Sequence, residues 1–173
     1  MRSYRRLYRR GGAVLELILC LPVLIIALFA IAEFGVLMAN QQQLEYASRI
    51  GALVASETNP LPSDDPSFAA DGIAMAVKRH LQQSWIDISD ANLRITLEHN
   101  VGGAATLKAG DLVCPAPQLP SPPASSEYVR VTVCVDVVNG KLTPNLLATY
   151  GFDIEGRVAH QTTTLRWEPG TTP

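Results

Sequence analysis

Charge is scarce in this sequence. Only 17% of its 173 residues are charged, against about 25% in ordinary globular chains. With 47% hydrophobic residues and a mean hydropathy of +0.14, the chain is not disordered and reads poorly as a purely soluble domain. Aromatic residues are few at 6%, so the apolar excess is aliphatic. Beyond residue 11 acidic residues outnumber basic ones, 16 to nine, which excludes a chain-wide basic surface for nucleic acid. The three histidines, His80, His99 and His160, show no metal-ligand spacing with one another or with the three cysteines. A Gly-rich phosphate loop, paired Cys-x-x-Cys motifs and a nucleophile elbow are all missing. Ser125-Ser126, Asp136 and His160 could be combined into a triad only in imagination. The reading is therefore no catalytic residue, no metal, no cofactor and no enzyme.

What charge there is falls into two unlike parts. Residues 1–11 hold five arginines (Arg2, Arg5, Arg6, Arg9 and Arg10) and no acid, while the rest of the chain sets nine Lys+Arg against all 16 Asp+Glu. The formal net charge of −2 averages a basic start and an acidic body. Between them lies LILCLPVLIIALFAIA, uncharged from Leu17 to Ala32, and FGVLMA continues after Glu33. Sixteen residues give about 24 Å, a little short of a hydrocarbon core of roughly 30 Å, and the flanks from Ala13 to Ala39 supply the rest. Such a helix spans only if Glu16 or Glu33 reaches an interface or a partner. Five arginines on the N-terminal side keep that side cytoplasmic and export the remainder. Pro22 lies within the run, where membrane helices tolerate it.

The stretch RRGGAVLELILCLPVLIIALFAIAEFG followed by QLEYASRIGA resembles the start of TadE-like minor pseudopilins of tight-adherence (Flp-type) pilus systems. The resemblance covers roughly residues 9–56 and takes in Pro22, Glu33, Leu44, Ala47, Gly51 and Ala52. It departs at Leu17, where phenylalanine is usual, and at Leu53, where arginine is often found. It implies that a prepilin peptidase cuts at Gly11 or Gly12. A cut after Gly11 makes Gly12 the first mature residue and Glu16 the fifth, the spacing of the type IV pilin class. It further implies that Glu16 neutralises the freed N-terminal amine during assembly. The implied partners are the peptidase, other minor pseudopilins, assembly-platform proteins and the membrane, with no nucleic acid. The implied setting is a bacterial inner membrane with the C-terminal domain in the periplasm, in or at the base of a pilus used for adhesion and biofilm formation.

Three alternatives stand beside this one. An ordinary secretory signal would end at Ala30-Ile31-Ala32. An unprocessed membrane-anchored domain would bind an envelope partner or ligand, and an exported hydrolase is the third.

Leu44, Ala47, Gly51 and Val54 keep a helical spacing beyond the apolar run, so a membrane and stalk helix is expected over residues 12–56. Asn59-Pro60 and Pro62 end it. Asp65-Pro66 then offers a cap and first turn for an amphipathic helix over 66–85, its stripe made of Ile73, Val77, Leu81 and Trp85 with Ala70, Ala74 and Met75. Leu93, Ile95 and Leu97 alternate as a strand. Val129 to Val137 form a second strand, with Arg130, Thr132, Cys134 and Asp136 on its other face. A third candidate runs from Phe152 to about Trp167, after a short helix opened by Thr143-Pro144 and ended by Gly151. Gly102-Gly103 reads as a turn. Residues 113–126 hold five prolines and no charge, an extended surface loop. Cys114 and Cys134 would both be exported, where oxidation is allowed, and a disulfide across that loop is expected. Cys20 belongs to the membrane segment. The expected fold class is α+β: a leader 1–11, a helix 12–56, and an exported domain 57–173 with one amphipathic helix over a small antiparallel sheet.

Overall fold

The apolar run and the helical rhythm beyond it form one uninterrupted helix. In the computed structural model, which describes residues 8–115, 123 and 125–168, α1 extends over Tyr8–Glu57. Its 50 residues reach about 75 Å at 1.5 Å each. Residues 1–7 of the basic leader and residues 116–122 and 124 of the proline-rich stretch lie outside the described residues.

The two halves of α1 live in different surroundings. Val14, Leu15, Leu17, Leu19, Val23, Leu24 and Leu28 are all exposed. Farther along, Leu44, Ala47, Ala52 and Ala55 are fully buried, with Ser48 beside them. These positions recur at three and four residues, so one stripe faces the domain. Small residues let the helix approach closely. A Cβ on Gly51 would lie 2.7 Å from a Val77 methyl and 2.9 Å from a Val131 methyl, so any larger residue there pushes the helix off both neighbours.

The expected helix over 66–85 is two helices, α2 (Asp65–Ala70) and α3 (Gly72–Gln83). Asp71 divides them, because its extended backbone and side chain form a new start. Its Oδ1 accepts from the Ile73 and Ala74 amides at 2.8 and 3.1 Å, satisfying donors that a helix start leaves open. Burial pushes the Asp71 carboxyl above its ordinary value, against the pull of those two amides. The cap of α2 is Asp64, not Asp65; the Asp65 carboxylate instead accepts from the Lys108 amide at 2.7 Å.

Ile73, Ala74, Val77 and Leu81 are buried as the stripe requires, whereas Ala70 and Met75 face solvent. Trp85 departs furthest from expectation. It is 88% exposed, with φ of 61°. The Trp85 amide bonds Gln82 O and the Ile86 amide bonds Leu81 O, the paired pattern of a Schellman end. That reversal swings the indole outward and brings Ile86 into the core instead.

The sheet contains β1 (Leu93–His99), β2 (Ala105–Ala109), β3 (Tyr128–Asp136) and β4 (Val158–Arg166) in the antiparallel order β2-β1-β3-β4. Two strands were anticipated within a residue or two. The third candidate begins at Val158, not Phe152, and β2 was not foreseen beyond its turn at Gly102 and Gly103, both at positive φ. The expected short helix is a single 3-10 turn, Ala148–Tyr150, closed by Gly151 at φ 89°. Thr143 does not cap it.

Val129, Val131, Val133 and Val135 pack with Leu93, Ile95 and Leu97 in the core that α1 and α3 cover. The opposite face of β3 is buried too. Arg130, Thr132, Cys134 and Asp136 all have little exposure. Cys114 bridges to Cys134 with Cα atoms 6.0 Å apart, so the segment leaving β2 is tied to this face. Closing a loop of 20 residues contributes about 3 kcal/mol by chain entropy. Farther along the same face, Arg130 Nη1 donates to Glu98 Oε2 at 3.4 Å, with both side chains buried.

Candidate functional site

The residues singled out for processing and assembly lie at the start of α1. The helix begins at Tyr8, so Gly11 and Gly12 lie at the end of its first turn. Each glycine weakens a helix by about 1 kcal/mol relative to alanine. At Gly12 a Cβ would meet nothing within 4 Å. Glu16 is exposed, one helical turn beyond Gly12. An amine freed at Gly12 would come within the i,i+4 range of its own carboxylate, and equally could meet a neighbouring subunit's Glu16.

Glu33 marks the other end of the uncharged span. Glu33 lies 17 positions after Glu16, about 25 Å along the helix. A carboxylate here would cost roughly 2.5–3.5 kcal/mol if it sat deep in lipid without a partner. The structure gives it one. Glu33 is 8% exposed, and its Oε1 accepts from the Leu146 amide at 3.0 Å. The Thr143 hydroxyl donates to the Glu33 carbonyl at 3.0 Å, and Asn40 Nδ2 donates to the Leu142 carbonyl at 2.6 Å. Three polar contacts thus clamp residues 142–146 of the domain to α1 over two turns. Thr143, proposed as a helix cap, spends its hydroxyl here.

This clamp was invisible in the sequence, because its partners lie more than 100 positions apart. Glu33 in an apolar run was the one available signal, since a lone acid there needs a donor.

The remaining candidates are placed separately. Cys20 is free and exposed on α1. His80 lies in the last turn of α3, buried His99 closes β1 against the Pro62 carbonyl at 3.3 Å, and His160 is exposed on β4. Asp136 Oδ1 accepts from the Val138 and Asn139 amides at 3.0 and 2.7 Å, while Ser125 Oγ accepts from the Glu127 amide before β3 begins. Ser125 and Asp136 therefore stand at opposite ends of β3, and the structure does not assemble them with His160. Among the described residues no group of three or more His, Cys, Asp or Glu could hold a metal ion.

The segment Val14–Glu57 includes a window of mean hydropathy 2.9 with no part buried. Length and composition make it a candidate membrane anchor. No curated protein and no solved structure matches the chain. The family model described as TadE-like protein matches residues 11–53, about a quarter of the chain. The match runs from the first of the two glycines, through Glu16 and Glu33, into the core-packed turns around Gly51. In this N-terminal part the chain is similar to TadE-like proteins, which is consistent with a protein associated with tight-adherence pili.

Proposed function

We propose that this chain is a minor pseudopilin, cut by a prepilin peptidase after Gly11 and used in assembling tight-adherence pili for adhesion and biofilm formation. The observation that carries the proposal is the position of the TadE-like match on a helix whose outer half is apolar and exposed while its inner half is fused to a folded domain. A lipid-facing helix rigidly joined to a head domain is what lateral release from a membrane into a helix bundle requires.

The five arginines of residues 1–11 orient the anchor with its N-terminus in the cytoplasm and its domain in the periplasm of the inner membrane. A disulfide at Cys114–Cys134 fits an oxidising compartment. Cleavage removes those positive charges and creates a single amine. Glu16 is the carboxylate placed to neutralise it in a low-dielectric bundle. The chemistry belongs to the peptidase; this chain supplies substrate, amine and carboxylate, with no cofactor or metal and no catalysis of its own. Its partners are the peptidase, other minor pseudopilins and the assembly platform.

Deleting the chain from its host is expected to remove surface pili and lower attachment, with recovery when the whole chain is returned. Pilus counts by electron microscopy and a surface-attachment assay check this. Unchanged pili in the deletion strain would contradict the proposal.

A further inference from the structure

The clamp on Glu33 places a second apolar feature at a defined height on α1. The Phe29 and Tyr150 rings have centroids 6.4 Å apart, and Leu146 is held on Glu33. From Pro144 to Phe152 the sequence PNLLATYGF has no charge. Within it Leu146 is 39% exposed, Tyr150 45% and Phe152 63%. Leu147 and Ile154 line an apolar recess that continues onto Ala30, Phe34 and Leu37 of α1. The exposed surface of the loop and the exposed surface of the anchor are one continuous apolar region.

We propose that this segment, 144–152, is a second membrane contact, seating Leu146, Tyr150 and Phe152 in the bilayer leaflet on the domain side. The proposal rests on α1 crossing the membrane, and not on cleavage or on pili. Depth selects lipid as the occupant. The twenty residues Ala13–Ala32 span about 30 Å, the thickness of a hydrocarbon core. Phe29 then lies about 4.5 Å inside that boundary, and Tyr150, packed on it, lies where aromatic side chains with a polar end concentrate. Charge resumes only at the borders. Lys141 precedes the segment, and Asp153 follows with its Oδ1 accepting from Asn145 Nδ2 and the Glu155 amide at 2.7 and 2.9 Å. Seating the domain this way also fixes the depth of the helix. With Glu33 held at one boundary, Glu16 falls about 25 Å below it, about 5 Å inside the other.

The test uses the full chain in phosphatidylcholine vesicles with and without acyl-chain bromination, which quenches nearby tryptophan emission. In a Trp85→Phe background only Trp167 emits. Its Nε1 donates to the Thr58 carbonyl, 26 residues past Ala32 and about 39 Å along the helix. Phe152→Trp and Leu146→Trp are added separately, both at exposed positions where core packing is untouched, and Leu24→Trp probes the span itself. The expected result is loss of emission in brominated lipid at positions 24, 146 and 152, and none in the background. Loss at position 24 with none at 146 and 152 overturns the second contact while leaving the anchor intact; that is the outcome if a neighbouring protein normally covers the patch. No loss at position 24 removes the span, and the inference with it.

Discussion

Glu16→Ala is expected to leave the protein in the membrane with its domain folded, yet to abolish its entry into pili. Insertion does not suffer, because removing a carboxylate from the edge of a spanning helix relieves a cost of up to about 2.5–3.5 kcal/mol. The domain is untouched, because Glu16 lies 17 residues before Glu33, where α1 first meets the clamp. Assembly fails because the amine freed at Gly12 enters a low-dielectric bundle without its counter-charge. An unpaired buried charge costs about 3–5 kcal/mol. At 1.4 kcal/mol per tenfold this is roughly two to four orders of magnitude in subunit association. Membrane fractionation reads the first outcome and pilus counts read the second. Wild-type piliation in this variant would remove the pairing mechanism.

Arg130→Met is expected to destabilise the domain by about 3–5 kcal/mol, since it leaves the Glu98 carboxylate buried without its guanidinium. The pair is poorly exposed on both sides, 8% for Arg130 and 3% for Glu98, so water does not take over. Burial already pushes the Glu98 carboxyl above its ordinary value, against the pull of Arg130. Without Arg130 it rises further. A pKa higher in the folded than in the unfolded chain means that the folded chain holds the proton more tightly. The loss is therefore greatest at neutral pH and shrinks as pH falls through that raised value. Adding Glu98→Leu to Arg130→Met is expected to recover most of the stability, because two apolar groups replace the pair. Thermal unfolding of the full chain in detergent, followed by near-ultraviolet circular dichroism over a pH series, checks all three. A loss below about 1 kcal/mol at neutral pH would place the pair with ordinary surface ion pairs.

Periodicity made part of this fold legible. The stripe through Leu44, Ala47 and Gly51 and the alternation of Val129 through Val135 are repeated patterns, and repetition survives one ambiguous residue. The Cys114–Cys134 bridge was legible because two cysteines in an exported domain have few other fates. Single residues that override a pattern were not. Asp71 reads as an ordinary polar position until its side chain turns back on two amides. Trp85 reads as stripe, because a helix end at positive φ is signalled by glycine or asparagine and not by tryptophan. The five residues of β2, Ala-Thr-Leu-Lys-Ala, have little β-preference of their own and depend on pairing with β1. In the candidate site, Gly11, Gly12 and Glu16 were singled out by the resemblance to TadE-like proteins, whereas the donor for Glu33 came from a loop 113 positions away. Nothing local announces such a contact.

The central claim is that the membrane-embedded form begins with an amine at Gly12, four residues before a glutamate. The intact mass of the protein isolated from its native membrane measures this directly. The account predicts a chain lacking MRSYRRLYRRG and otherwise complete, with a side-chain charge of −7 from nine basic and 16 acidic residues. A chain beginning at Met1 would make it an unprocessed anchored domain, and one beginning at Glu33 an ordinary secreted protein. Either result would contradict the account.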